Sequence, residues 1–124
     1  MPGGAGEGFY SMAPMLFVTE SSTDPRVKAF VAQYEKLYGK PPNFAAQIGY
    51  TGAQLVVQAL TNGGKDLTED GFVSGMEAIK DHHDIFGSPP ITFSPTKHQG
   101  SNESFLCVIK GGKWEAVEPQ AMGY

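Results

Sequence analysis

The stretch DPRVKAFVAQYEKLYGKPP, residues 24–42, carries the strongest helix signal in the chain. Asp24 is a natural N-cap, and Pro25 suits the first helical position because the backbone N–H there needs no partner. Gly39 can adopt the left-handed conformation that ends a helix, and the prolines that follow prevent continuation. Apolar residues recur at helical spacing, at Val27, Phe30, Val31, Tyr34, Leu37 and Tyr38. The pattern predicts an amphipathic helix with one buried face.

Two more helices are predicted downstream of this stretch. Residues 43–62 are apolar nearly all round and contain two glycines and four alanines. The glycines lower helix propensity, so we expect these small residues to allow close packing on more than one side. A third helix begins near Thr68 as its cap, with acidic Glu69 and Asp70 in its first turn. We expect residues 81–84 to close it.

Strand signals flank the three helices. Residues 8–14, GFYSMAP, are typical of a short strand that ends at its proline. After the helices the periodicity changes to alternation at residues 91–93, followed by a polar stretch that is too long for a tight turn. Residues 104–110 are apolar on both faces, which predicts an inner strand.

A hairpin follows this inner strand. Gly111-Gly112 suits a two-residue turn, and residues 113–117 return as the partner strand. We expect the tail beyond Pro119 to be frayed. The order of one strand, three helices and C-terminal strands ending in a β-hairpin predicts an α/β fold.

Composition favours one globular domain and disfavours several classes of function. The chain has 124 residues, enough for one small domain. A net charge of −4 without a basic cluster disfavours nucleic-acid binding. No apolar stretch approaches the roughly 20 residues of a membrane-spanning helix, and the N-terminus lacks the pattern of a signal peptide. The single cysteine, Cys107, lies in an apolar run and is expected to be a small buried hydrophobe.

One cluster, Asp81-His82-His83-Asp84, has the chemistry of metal ligands. Adjacent histidines project in different directions on a helix, so the pattern favours a solvated helix end. A metal site completed by His98 is the alternative. The sequence contains no G-x-S-x-G and no G-x-x-x-x-G-K-[ST] motif, so no catalytic residue is assigned.

Several short motifs together carry a resemblance to a known family. They are residues 24–42, FAAQIGY at 44–50 with Ala53, FG at 86–87, ITF at 91–93 and VIKGGKW at 108–114. Over about residues 8–118, their order and spacing resemble the C-terminal third of the periplasmic solute-binding proteins of branched-chain amino-acid type ABC transporters.

The resemblance implies a partial type I periplasmic-binding fold. In that fold two α/β lobes, joined by three crossovers, hold a solute in the cleft between them and close on it. It assigns about residues 8–80 to the first lobe and about residues 85–118 to strands of the second lobe. It also creates the expectation that the chain is a C-terminal fragment of a two-lobe protein.

The resemblance carries two ligand-binding residues onto this chain, Gln47 and Tyr50, at the start of the second helix. An amide and a phenol in a first helical turn suit the rim of a polar ligand site. The alternative for Tyr50 is a core residue whose hydroxyl lies at the edge of the core.

The implied function is that of an extracellular receptor for amino acids or related small carboxylates, including aromatic acids. Such a receptor delivers its ligand to the membrane permease of an ABC transporter, without catalysis and without a cofactor or metal. The resemblance implies a periplasmic location. Two alternatives are a standalone assembly or interaction domain and, less favoured by the sequence, a small enzyme.

The apolar pattern also predicts self-association. The second helix and the strand at 105–109 are apolar on more than one side, so each needs cover on two sides. The predicted elements are too few to supply all of that cover. We therefore expect a homodimer formed by exchange of segments, with an interface containing Ile48, Leu55, Val56, Phe105 and Ile109.

Overall fold

Three helices lie between one short strand and a C-terminal group of strands, as the sequence predicts. The computed structural model describes residues 4–17 and 22–123. The elements are β1 (Tyr10–Ala13), α1 (Pro25–Tyr38), α2 (Phe44–Gly63), α3 (Glu69–Glu77), β2 (Glu103–Lys110), β3 (Lys113–Ala116) and β4 (Met122–Gly123). The predicted α/β class and all three predicted helices are confirmed.

The predicted caps of α1 are confirmed. The Asp24 carboxylate accepts a hydrogen bond from the Arg26 backbone N–H at 2.8 Å, and the Arg26 guanidinium donates to the same carboxylate at 2.7 Å. These hydrogen bonds from Arg26 lower the pKa of Asp24 to about 2. Gly39 ends the helix at a φ of 66°, in the left-handed region that favours glycine.

Helices α2 and α3 approach each other at two glycines. A Cβ atom placed on Gly75 would lie 2.1 Å from the carbonyl oxygen of Ala59, and one on Gly63 would lie 2.6 Å from the carbonyl oxygen of Gly71. The Asn62 side-chain amide donates to the Gly75 carbonyl at 3.1 Å. No larger residue fits at Gly75 without moving the two helices apart.

Only one face of α2 is covered by the part of the chain that the structure describes. Gln47, Thr51 and Ala59 are buried on that face. On the opposite face several large apolar side chains are exposed, with Val57 at 63%. The cover expected on more than one side of this helix is therefore absent from the described residues.

The sheet is built around β2. β1 pairs with β2 in antiparallel orientation, β3 pairs with its other edge, and β4 pairs with its first residues. The predicted hairpin turn is confirmed, because Lys110 pairs with Lys113, and Gly111 and Gly112 have φ values of 56° and 74°. Two positive φ angles in a two-residue loop characterise the turn type that matches the strand twist.

Two sequence-based expectations about the C-terminal half are wrong. Met122 and Gly123 pair with Ser104 and Glu103, so the tail is not frayed: it adds a short strand to the sheet. Residues 81–84 do not close α3, because this helix ends at Glu77. They lie in a loop in which His82 forms an isolated β-bridge with Ile91.

The predicted strand at 91–93 is reduced to this bridge and a few backbone hydrogen bonds. The Phe93 N–H donates to the Ile79 carbonyl at 3.0 Å, and the Thr92 N–H donates to the Gly100 carbonyl at 2.8 Å. These contacts hold the loop against the end of α3. β1 lies in the same sheet as β2, although the predicted lobes assign them to different halves, and the division into lobes stays a prediction.

Asp84 links α2 to the loop that follows α3. Its buried carboxylate accepts hydrogen bonds from the Thr51 hydroxyl at 3.0 Å, the Ser88 hydroxyl at 2.6 Å, and the backbone N–H groups of Phe86 and Ser88 at 2.9 and 3.1 Å. A buried carboxylate needs such partners to offset its loss of hydration. Asp84 therefore has a structural role in this loop.

An aromatic cluster joins α1, α2 and the same loop. Phe30 lies with its ring centre 4.8 Å from that of Tyr50 and 5.3 Å from that of Phe86. Tyr50 and Phe86 meet edge to face at 5.8 Å. Offset and edge-to-face contacts of this kind stabilise packing beyond the area they bury.

We predict that Asp84→Ala lowers the free energy of unfolding by about 2–4 kcal/mol, because it leaves buried donors without an acceptor. Urea denaturation followed by circular dichroism measures the change. The control Asp66→Ala alters an exposed side chain and should change the free energy by less than about 0.5 kcal/mol. Equal effects of the two substitutions would contradict the structural role of Asp84.

Candidate functional site

A pocket of about 580 Å³ lies where the sheet meets the start of α2. Its lining comes from β1, from residues 14–17 that leave β1, from Phe44 at the start of α2, and from β2 and β3. The volume is within the roughly 300–1,000 Å³ that is usual for small-molecule sites. This pocket is the candidate functional site.

Small side chains form the floor of the pocket. Ser11 pairs with Cys107, and Cys107 pairs with Ala116, so the three side chains lie next to one another on one face of the sheet. Ala13, two residues after Ser11, lies on the same face. Short side chains at these positions leave the open space above the strands.

Aromatic side chains border this floor. Phe17 and Phe44 meet edge to face with ring centres 6.4 Å apart. Trp114 also lines the pocket and contacts Phe9 edge to face at 6.2 Å. The pocket therefore has a floor of small residues and apolar walls.

The lining carries no charge. None of the side chains around the pocket is an aspartate, glutamate, lysine, arginine or histidine. Cys107 is the one lining residue with a titratable thiol. Burial raises the pKa of this thiol, which keeps it in the unreactive protonated form at neutral pH. The sequence-based expectation that Cys107 is buried is confirmed.

Gln47 lies directly behind the pocket wall. Its side chain is 1% exposed, and its amide donates to the Leu16 carbonyl at 2.7 Å and to the Met15 sulfur at 3.4 Å. Met15 and Leu16 both line the pocket. Gln47 thus contacts the residues that form the wall.

Tyr50 lies elsewhere on α2, in the aromatic cluster with Phe30 and Phe86. The structure does not bring Gln47 and Tyr50 together at the pocket. Sequence reasoning did not find the lining residues on β1 and β3. The available signal was the alternation of small Ser11 and Ala13 with larger neighbours in β1.

The groups of the Asp81–Asp84 segment have separate partners. The His82 Nδ1 atom lies 2.9 Å from the Gln58 side-chain oxygen, and His83 lies 3.3 Å from Asp81. His98, the third ligand of the alternative metal site, lies 3.1 Å from Glu77. Within residues 4–17 and 22–123, no group of three or more His, Cys, Asp or Glu side chains is arranged to hold a metal ion.

Among the residues that the structure describes, no helix combines the length and the apolar character needed to cross a bilayer.

The model of the family described as "Periplasmic binding protein" matches residues 1–113. No curated protein matches the chain.

Several solved structures share this fold. A fatty acid ABC transporter substrate-binding protein from Thermomonospora curvata is 26% identical, with a TM-score of 0.71 over 96% of this chain and 31% of that chain. A branched-chain amino acid ABC transporter protein from Thermus thermophilus with bound valine is 20% identical, with a TM-score of 0.70 over 98% and 35%.

A third solved structure is a solute-binding protein of an ABC transporter from Rhodopseudomonas palustris BisB5, in complex with 3,4-dihydroxybenzoic acid. It is 24% identical, with a TM-score of 0.67 over 98% of this chain and 32% of that chain. The chain therefore spans about a third of the length of the structures it matches.

We predict that zinc does not stabilise the protein through His82 and His83. A ligand that binds the folded state raises the melting temperature by mass action, and the partners of these histidines lie on different elements. Thermal melts with and without zinc measure the effect. A rise that disappears in the His82→Ala, His83→Ala double variant would establish a metal site and contradict this prediction.

Proposed function

Because the chain belongs to the periplasmic binding protein family, we propose that it contributes to solute binding in a receptor that supplies an ABC transporter. The solutes are amino acids or related small carboxylates. The single observation that carries this proposal is the uncharged pocket between the sheet and α2. A concave, mostly apolar pocket of this size is the usual form of a small-molecule site.

The similar structures support this class of ligand. One of them has bound valine, a second is in complex with 3,4-dihydroxybenzoic acid, and the third belongs to a fatty acid transporter. Each of these ligands joins an acid group to an apolar part. The apolar lining of the pocket suits the second part.

The pocket favours binding over catalysis. Its lining offers neither a general acid or base nor an activated nucleophile, because the Cys107 thiol has a raised pKa. We therefore propose that the protein is not an enzyme. Its partners in this proposal are the solute and the membrane permease, and its location is the periplasm.

Gln47 and Tyr50 have different parts in this proposal. Gln47 positions the pocket wall through its hydrogen bonds to Met15 and Leu16. Tyr50 stabilises α2 against α1 through the aromatic cluster, one turn further along the helix from Gln47. A direct contact of either side chain with a ligand stays a prediction.

A second candidate function, self-association, is favoured by the exposed face of α2. Ile48 and Val56 lie two turns apart on this face and are 46% and 45% exposed. The space next to Gly49 and Gly52 is open, so another apolar surface can approach closely. Exposed apolar area of this kind marks interaction surfaces. We propose that it joins two copies of the chain.

The other residues of the predicted dimer interface are less accessible. Phe105 is buried, and Leu55 and Ile109 are half-buried. These three could join the interface only through the exchange of segments between two copies.

We predict that solute uptake depends on the pocket. Ala116 is half-buried on the pocket floor, and Ala116→Phe should fill the space above it. Uptake of radiolabelled amino acids and carboxylates is measured in cells lacking the gene and complemented with variants. The wild-type gene and the gene carrying the control Ala32→Phe, at an exposed position on α1, should restore uptake, whereas the gene carrying Ala116→Phe should not. Uptake that is independent of the gene would contradict the transport role.

We predict that the chain is a dimer of twice its 13.3 kDa mass at micromolar concentration. Light scattering after size-exclusion chromatography measures this mass. Val56→Lys should shift the mass toward that of the monomer, because it places a charge in the apolar contact. The control Leu37→Lys, which changes an exposed apolar residue of α1, should leave the dimer intact. A folded wild-type monomer would rule out this assembly.

A further inference from the structure

The lining of the pocket indicates a narrower class of ligand, and this inference rests on the proposed function. The polar side chains on its floor are a hydroxyl and a thiol, and neither carries a charge. The Ser11 hydroxyl donates to the Met12 carbonyl at 3.4 Å, and the Cys107 thiol donates to the Phe105 carbonyl at 3.8 Å. An ammonium or carboxylate placed deep in the pocket would lose its hydration without gaining a charged partner.

The dimensions of the floor favour a long apolar group. The floor crosses three adjacent strands, from Ser11 on β1 over Cys107 on β2 to Ala116 on β3. Because paired strands lie about 4.8 Å apart, the floor is about 10 Å wide. The side chain of a branched amino acid or one aromatic ring would leave much of this width empty. The residues around an empty apolar gap lose van der Waals contacts.

The walls of the pocket can adapt to a flexible alkyl group of a ligand. Met15 lines the pocket together with Leu16. Methionine side chains are unbranched and polarisable, so they adjust to apolar groups of irregular shape. Gln47 holds the Met15–Leu16 segment in place from behind, which keeps the wall from collapsing onto the floor.

We infer that the pocket takes the alkyl chain of a medium-chain fatty carboxylate, such as decanoate, with the charged headgroup at the mouth of the pocket. Affinity then comes from burial of methylene groups. Each added methylene should strengthen binding about fourfold until the floor is filled. The headgroup contributes little, because the lining offers it no opposite charge.

The chain provides two reporters of its own at this site. Trp114 is the one tryptophan and Cys107 the one cysteine of the sequence, and both line the pocket. Trp114 fluorescence therefore reports on the pocket wall. At alkaline pH, where part of the Cys107 thiol ionises, the rate at which a thiol reagent modifies it reports on access to the floor, since modification requires a reachable thiolate.

The experiment titrates the 124-residue protein with butanoate, hexanoate, octanoate and decanoate below their micelle concentrations. Trp114 emission should change saturably, with affinity rising about fourfold per methylene, and decanoate should slow modification of Cys107. Valine and benzoate bury fewer apolar groups, so they should saturate the response only at concentrations far above those of decanoate. Ala116→Phe should lose the response, and the exposed-site control Ala32→Phe should keep it.

Three outcomes would overturn the inference: affinity that does not depend on chain length, a response that does not saturate, or an equal response in Ala116→Phe. Circular dichroism of this variant checks that it is folded, and Ala13→Leu fills the same floor with a smaller change. Pocket-dependent uptake without the chain-length series would retain the transport function and reject this ligand class. The reverse result would retain the ligand class and reject transport.

Discussion

The hydrogen bond from the Gln47 amide to the Leu16 carbonyl connects helix α2 to the segment that follows strand β1. Gln47 is on the buried face of α2, and Leu16 lies in the segment that leaves β1. A buried amide must be hydrogen-bonded, so this contact selects one position of the segment against α2. The pocket depends on it, because Met15, Leu16 and Phe17 form one of its walls.

Exposed apolar surface is the second general feature of the molecule. Large apolar side chains are exposed on the outer face of α2, and Tyr10 and Met12 are exposed on β1. Isolated exposed apolar residues are ordinary, but those of α2 cover more than half of its circumference, and open space lies next to the two glycines among them. This arrangement fits an element that packs against another surface when the protein functions.

Local signals in the sequence predict the helices and the hairpin well. Asp24 and Gly39 bound α1, Thr68 caps α3, and Gly111-Gly112 forms the turn between β2 and β3. Each of these signals acts within a few residues. The predictions for residues 81–84 and for the tail are wrong because both segments obtain their conformation from distant partners: His82 from Ile91, and Met122 from Ser104.

The sequence by itself determined the order of the elements, their caps and turns, and the family resemblance, because these depend on residue types at short spacing. The tertiary structure alone decided that a pocket forms and which residues line it. Its floor requires the register that places Ser11 beside Cys107, and its wall requires a bond between residues 31 positions apart. It likewise decided that the carboxylate of Asp84 accepts a hydrogen bond from the Thr51 hydroxyl, 33 positions away. Such pairings arise from packing and burial, which no local pattern encodes.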